Sequence, residues 1–116
     1  MRKRIVVVDG MGGGIGAQLA ASLKATLGSA AEILALGTNS AATERMLKAG
    51  ADRGASGENA IRVSAGTGDV IMGPIGIVVP NGMLGEVTPA MAQAVLAAPG
   101  LRILIPVNQD HFILAG

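Results

Sequence analysis

The chain of 116 residues has no cysteine, no tryptophan, no tyrosine and a single aromatic residue, Phe112. Without cysteine, it can form no disulfide, no thiolate metal site and no cysteine nucleophile. Because base-binding surfaces usually depend on aromatic stacking, the near absence of rings argues against nucleic-acid binding. His111 is the only histidine, so we also predict no metal site within one chain.

Charge is scarce as well. Only 15% of the residues are charged, against about 25% in typical globular proteins, while 50% are hydrophobic. We therefore expect a second copy of the chain to cover some apolar surface, most simply in a two-fold homodimer. The net charge is +1, and no apolar run reaches the roughly 18 residues of a membrane helix. These features predict a cytoplasmic protein that does not bind membranes.

A glycine-rich turn follows the first apolar run. The run at residues 5–8 is entirely β-branched, and glycine occupies five of the seven positions from Gly10 to Gly16. A buried strand that enters such a turn before a helix is typical of a phosphate-binding βα unit, because glycines let backbone N–H groups approach an anion. The predicted contacts in this turn are Asp9, Gly10, Gly12, Gly13, Gly14, Ile15 and Gly16. Alternatively, the glycines only permit close packing, and Asp9 accepts backbone N–H groups.

The spacing of the glycines fits more than one pattern. The dinucleotide pattern G-x-G-x-x-G fails from Gly10, but its G-x-G-x-x-A form fits Gly12, Gly14 and Ala17. A third register, at Gly10, Gly14 and Gly16, is similar to the turn of short-chain dehydrogenases. Their Tyr-x-x-x-Lys chemistry is excluded here because the chain has no tyrosine. The spacing thus favours a phosphorylated ligand without naming it.

Strand and helix patterns alternate along the chain. Predicted strands cover residues 4–8, 31–36, part of 69–79 and 101–107, with a short edge strand at 111–115. Predicted helices cover residues 14–27, a segment from Asn39 or Ser40 to Gly50, residues 58–63 with Ser56 as cap, and a segment from Thr88 to Pro99. This order predicts one α/β domain over residues 1–116, with three layers and a mainly parallel sheet between helices.

Ligands of such sheets bind at the carboxyl ends of the strands. Thr38 and Asn39 follow the second predicted strand and are further candidate contacts, although a helix cap is the favoured role for Asn39. NAD sites usually have an acidic residue at this point, which is missing here, and we expect Arg45 to face solvent. A mononucleotide, NAD(P) and a smaller phosphorylated metabolite all remain open.

Candidates for catalysis are few. Glu58 lies beside an amide and is suited to binding a polar substrate, or it complements the dipole of a helix. Glu86 precedes the Thr88 cap, where it reaches either a ligand or solvent. His111 follows Asp110 and is a candidate general base or a surface histidine. None of the three has an assigned reaction.

Several segments together resemble a small bacterial family of Rossmann-like proteins that is catalogued as a domain of unknown function. They are DGMGGGIG (residues 9–16), ALGTN (35–39), MLKAGA (46–51), GENAI (57–61), GPIGIV (73–78), MLGEVTP (83–89) and ILIPVN (103–108). The resemblance implies a Rossmann-like fold and no particular activity. Three functions stay open: a module that binds a nucleotide or phosphorylated ligand, an NAD(P)-dependent enzyme completed across a dimer, and an interaction subunit with a purely structural turn.

Overall fold

Strands and helices alternate strictly in the computed structural model, which describes residues 2–107. In chain order the elements are β1 (Lys3–Asp9), α1 (Gly14–Leu27), β2 (Ala31–Gly37), α2 (Ser40–Ala49), β3 (Arg53–Ser56), α3 (Glu58–Ser64), β4 (Val70–Pro74), α4 (Pro89–Ala97) and β5 (Leu101–Ile105). Short 3-10 turns cover Gly28–Ala30, Ala65–Thr67 and Ile75–Val78.

All five strands form one parallel sheet in the order β3-β2-β1-β4-β5. The chain adds strands on one side of β1 as far as β3, and then crosses to add β4 and β5 on the other side. The strand order therefore reverses between β1 and β4, which is where sheets of this kind bind ligands.

Helices cover both faces of the sheet. The side chains of β1 alternate between two apolar clusters: Ile5 and Val7 pack with residues of α1 and α2, whereas Val6 and Val8 pack with residues of α3 and α4. The three-layer Rossmann-like architecture predicted from the sequence is thus confirmed. No helix within residues 2–107 has the length and hydrophobicity needed to cross a membrane.

Local capping signals predicted three helix starts correctly. Helix α1 begins after Gly13, whose φ of 72° lies in the left-handed region that favours glycine. Asn39 caps α2 by accepting the Ala42 N–H at 2.8 Å, and Thr88 caps α4 with Pro89 at the first helical position. The cap assigned to Asn39 is therefore confirmed.

Two local predictions are wrong. Ser56 does not cap α3, because Gly57 occupies the cap position and the Ser56 hydroxyl donates to Thr43 Oγ1 instead. The last strand is not buried: Leu101 and Ile103 are 64% and 40% exposed, because β5 is an edge strand among the described residues. The predicted strand at residues 111–115 lies outside the described residues.

Candidate functional site

A crevice opens at the carboxyl ends of β1 and β4, where the strand order reverses. It encloses a cavity of about 250 Å³. The residues that line it are Asp9, Gly10, Met11, Gly12, Gly13, Gly14, Ile15, Pro74, Met83 and Val107. Six of the nine predicted ligand contacts therefore surround one cavity at the position that the topology favours.

Two larger cavities lie at the amino ends of the strands, and their chemistry fits a ligand less well. One, of about 410 Å³, is lined by charged groups that already pair with one another: Arg4 Nε lies 2.8 Å from Glu32 Oε1, and Arg2 Nη2 lies 3.6 Å from Glu32 Oε2. The other, of about 500 Å³, is mainly aliphatic and adjoins Leu101 on the edge strand. Size alone therefore does not identify the site.

The Asp9 carboxylate holds the glycine turn in place through hydrogen bonds to its backbone. Its side chain is 4% exposed, and its two oxygens accept the N–H groups of Gly10 and Gly16, each at 2.7 Å. Burial raises the pKa of Asp9 above its ordinary value, although these two hydrogen bonds oppose the shift. A Cβ on Gly16 would lie 2.9 Å from Asp9 Cβ, so Gly16 serves this close approach. Asp9 and Gly16 thus make the contacts expected of residues that stabilise the turn.

Three backbone N–H groups of the turn are available to an anion. Gly13 N–H bonds to Gly10 O, but within residues 2–107 no hydrogen bond is recorded for the N–H groups of Gly12, Gly14 or Ile15. Helix α1 has no acidic residue in its first turn, so the positive end of its dipole is not offset by a residue of the helix itself. The turn therefore offers an anion three N–H groups that have no recorded partner within residues 2–107, whereas the Asp9 carboxylate, which accepts the Gly16 N–H, reduces the positive potential at the start of α1.

Arg45 on α2 lies against the same turn. It is exposed, as expected, but its Nη1 is 3.4 Å from Gly12 O and is the nearest atom to the Cβ positions of Gly12 and Gly14, at 3.8 and 3.6 Å. Sequence reasoning missed this placement. The available signal was that α1 and α2, as successive right-handed crossovers, cover the same face of the sheet and so lie side by side.

Glu86, in the loop at residues 79–87, contacts the backbone of Met11, which lines the crevice. Its Oε1 accepts hydrogen bonds from Met11 N at 2.9 Å, Thr38 Oγ1 at 2.6 Å and Asn39 Nδ2 at 2.8 Å. Burial acts to raise the pKa of Glu86, but the three hydrogen bonds outweigh it and hold the pKa below its ordinary value. Glu86 is therefore an ionised acceptor at the carboxyl ends of β1 and β2.

This arrangement joins three predicted residues that are far apart in the sequence. Thr38, Asn39 and Glu86 form one polar cluster, in which Asn39 Nδ2 also donates to Met11 O at 3.0 Å. The acidic group that the sequence lacks directly after β2 is thus supplied by a residue 47 positions beyond Asn39.

The other two catalytic candidates do not join this cluster in the described structure. Glu58 lies exposed at the start of α3, after the edge strand β3, and no hydrogen bond or ion pair is recorded for its side chain within residues 2–107. His111 lies outside the described residues. In the part of the chain that the structure describes, no group of three or more acidic or histidine side chains could hold a metal ion.

The fold and crevice together define a small Rossmann-like α/β protein with a glycine turn at the topological switch point. The family model described as "Domain of unknown function (DUF3842)" matches residues 4–116, and the chain belongs to this family. A comparison with curated proteins finds no match.

Proposed function

We propose that this protein binds a nucleotide or another phosphorylated ligand in the crevice, with a phosphate on the glycine turn. The main support is the set of N–H groups of Gly12, Gly14 and Ile15, which lack a partner within residues 2–107 and lie at the N-terminus of a 14-residue helix. Such donors can bind the oxygens of an anion in place of water, without breaking any intramolecular hydrogen bond recorded within residues 2–107.

Arg45 supplies the positive charge that this site needs. The carboxylates of Asp9 and Glu86 lie nearby and would repel a phosphate, whereas the Arg45 guanidinium flanks Gly12 and Gly14 on the open side of the turn. A guanidinium can donate two parallel hydrogen bonds to a phosphate. Arg45 therefore both neutralises and orients the proposed ligand.

Glu86 favours a nucleotide over a simple phosphate. In dinucleotide-binding sheets an acidic group near the end of the second strand accepts the ribose hydroxyls. Here the three hydrogen bonds recorded for Glu86 all reach Oε1, so Oε2 is oriented by them and can accept from a ligand. Thr38 and Asn39 then act by positioning Glu86.

A thermal-shift series tests the phosphate site. The ligands are AMP, ATP, FMN, NAD, NADP and inorganic pyrophosphate. A ligand at 100 times its dissociation constant adds about 2.7 kcal/mol of stability, which raises the Tm of a domain of this size by roughly 10 °C. We expect at least one nucleotide to do so.

Gly12→Ala and Gly66→Ala make a matched pair for this series. A Cβ at Gly12 has only Arg45 Nη1 near it, at 3.8 Å, and a Cβ at Gly66 has only Pro99 Cδ, also at 3.8 Å, so both variants should fold. The shift should disappear in Gly12→Ala, where the new methyl group blocks the phosphate, and persist in Gly66→Ala. A wild-type protein that no ligand stabilises, or an unchanged shift in folded Gly12→Ala, would refute the proposal.

The role of Glu86 is tested with AMP, 2′-deoxy-AMP and pyrophosphate. We expect the wild type to bind AMP about tenfold more tightly than the deoxy form, the effect of one charge-assisted hydrogen bond. Glu86→Ala should abolish this preference but retain pyrophosphate binding. If the preference survives in Glu86→Ala, another group binds the ribose.

A further inference from the structure

Within residues 2–107, β5 and β3 form the two edges of the sheet, and the outer edge of β5 differs from that of β3. At the opposite side, β3 has only four residues, with the sequence RGAS and a charged side chain at its start, features that discourage pairing with another chain. Strand β5 has the sequence LRILI, and its Leu101 and Ile103 side chains are 64% and 40% exposed. An aliphatic edge of this kind favours addition of another strand.

The backbone groups available at this edge follow from the pairing of β4 with β5. Leu101 is in register with Val70, and its N–H donates to Asp69 O at 3.1 Å. In a parallel ladder alternate residues bond to the same neighbour. Leu101, Ile103 and Ile105 therefore bond to β4, while the N–H and C=O groups of Arg102 and Leu104 point away from the sheet.

We propose that the protein forms a two-fold dimer in which β5 pairs antiparallel with β5 of a second copy, with Ile103 on the axis. In this register Arg102 lies opposite the partner's Leu104, and Leu104 opposite the partner's Arg102. Both pairs are hydrogen-bonded pairs of an antiparallel ladder. Arg102 and Leu104 of the two copies together have four outward N–H groups and four outward C=O groups, and in this register all eight groups are hydrogen-bonded. The two sheets join into one of ten strands.

The side chains fit the same register. Ile103 lies opposite the partner's Ile103 at a non-hydrogen-bonded position, where cross-strand side chains lie closest. Leu101 faces the partner's Ile105, so the exposed aliphatic side chains of both strands form one continuous stripe. The largely aliphatic cavity lined by Leu27, Val70 and Leu101 adjoins this stripe and extends the apolar surface.

Neighbouring registers are less favourable. With Arg102 on the axis, two arginines would face each other, which is destabilising for like charges in cross-strand pairs. With Leu104 on the axis, Arg102 would lie opposite Pro106, which has no N–H to donate. The Arg102 side chain also donates to Ala98 O at the end of α4, which directs its charge toward its own chain. The register centred on Ile103 is therefore the one that satisfies both backbone and side chains.

Cysteine cross-linking tests the register directly, because the chain has no cysteine of its own. Residues at a non-hydrogen-bonded antiparallel pair have Cα atoms about 4.5 Å apart, within the range of a disulfide. Two copies of Leu101 would be separated by about four residues, or roughly 13 Å. Under oxidised glutathione we expect Ile103→Cys to form a covalent dimer and Leu101→Cys, on the same strand and face, to form none.

Charge substitution tests the interface in a second way. Sedimentation equilibrium should give a dimer for the full wild-type chain and monomers for Ile103→Lys and Ile103→Glu, because each places like charges on the axis. Mixing these two variants should restore a heterodimer, which unfolded variants could not form. Val63→Lys, at a site that is 67% exposed on α3, should remain dimeric. A monomeric wild type, equal behaviour of the two cysteine variants, or a dimeric Ile103→Lys protein would overturn the proposal.

Discussion

Asp9 limits where a ligand's phosphate can bind. Its carboxylate already occupies the N–H groups of Gly10 and Gly16, so these two glycines cannot also donate to a phosphate without releasing it. The N–H groups of Gly12, Gly14 and Ile15 have no recorded partner within residues 2–107, and Arg45 Nη1 lies near the Cβ positions of Gly12 and Gly14. Three of the seven predicted ligand contacts in the turn, Asp9, Gly10 and Gly16, therefore stabilise the turn instead of contacting the phosphate.

Asp9→Asn should destabilise the protein by about 1–3 kcal/mol, the cost of an unsatisfied buried polar group. Removing the charge relieves its desolvation, but the amide offers one oxygen for two N–H groups, and its NH₂ would face the other donor. Urea unfolding measures the change, with Glu44→Gln on the exposed side of α2 as a control expected within about 0.5 kcal/mol of the wild type. A similar value for Asp9→Asn would mean that the turn is held by other contacts.

Glu86 should make stability depend on pH. Its pKa in the folded protein lies below the ordinary value of 4.5, so the folded state binds fewer protons than the unfolded state as the pH falls through this region. The resulting stabilisation is fully present above about pH 5.5 and is lost at lower pH. We expect the difference in unfolding free energy between wild type and Glu86→Gln to be constant above that pH and to shrink below 4.5.

Thr38→Val provides the control for this pH dependence. It removes the hydroxyl that donates to Glu86 at 2.6 Å, which should raise the pKa of the carboxyl toward its ordinary value. In Thr38→Val the stabilisation from Glu86 should therefore be smaller at neutral pH, and its loss should be complete at a higher pH than in the wild type. A difference between wild type and Glu86→Gln that does not change between pH 7 and pH 3 would contradict the assignment.

Helices α1 and α2 meet at Gly13. Its φ of 72° is unfavourable for any side chain, and a Cβ there would lie 2.9 Å from the backbone of Ala42. Gly13→Ala should cost at least about 1–2 kcal/mol from the left-handed conformation alone, and the contact with α2 adds to this. Gly12→Ala, one residue earlier, places its Cβ in ordinary contact with Arg45 Nη1 at 3.8 Å and should unfold at nearly the wild-type urea concentration. Equal effects of the two substitutions would show that the approach of α2 does not constrain the turn.

The elements that the sequence predicted well are those with local signals. Helix α1 was predicted with its observed bounds, and the caps of α2 and α4 at Asn39 and Thr88 were identified, because cap and glycine positions act within a few residues. Strand β3 was missed because RGAS has neither an apolar run nor an alternation, and only its pairing with β2 makes it a strand.

The site was predictable in part for the same reason. The glycine turn is a local pattern, whereas the cluster of Thr38, Asn39 and Glu86 joins residues 47 and 48 positions apart. Their meeting depends on β1 lying between β2 and β4, and on the path of the loop at residues 79–87 over the crevice. No spacing in the sequence encodes that arrangement, so the sequence identifies Glu86 only as one of three catalytic candidates without an assigned reaction.

At the scale of the whole molecule, the two ends of the strands differ in whether their charged side chains form ion pairs. At the amino ends, Arg2 and Arg4 both pair with Glu32, whose single negative charge offsets part of their positive charge. At the carboxyl ends, Arg45 contacts only the carbonyl of Gly12 among the hydrogen bonds recorded within residues 2–107, and Glu86 accepts from neutral donors. Arg45 and Glu86 therefore lie beside the glycine turn without an ion pair recorded within residues 2–107.

Hydrogen exchange read residue by residue should reveal both the sheet order and the proposed dimer. Strand β1 is paired on both sides, and Val6, Val7 and Val8 are 0–1% exposed, so their amides should exchange most slowly. The amides of β3, paired on one side, should exchange much faster. These two results depend on the fold alone and hold at any protein concentration.

Within β5 the pattern should alternate and depend on concentration. The Ile103 amide bonds to β4 and should be protected in the monomer, whereas the amides of Arg102 and Leu104 point outward and should be protected only in the dimer. When the protein is diluted below the dimer dissociation constant, the amides of Arg102 and Leu104 should therefore lose their protection together, whereas the amide of Ile103 should keep it. If Arg102 and Leu104 stay as protected as Ile103 at every concentration, another part of the same chain must occupy this edge, and the dimer must form elsewhere or not at all.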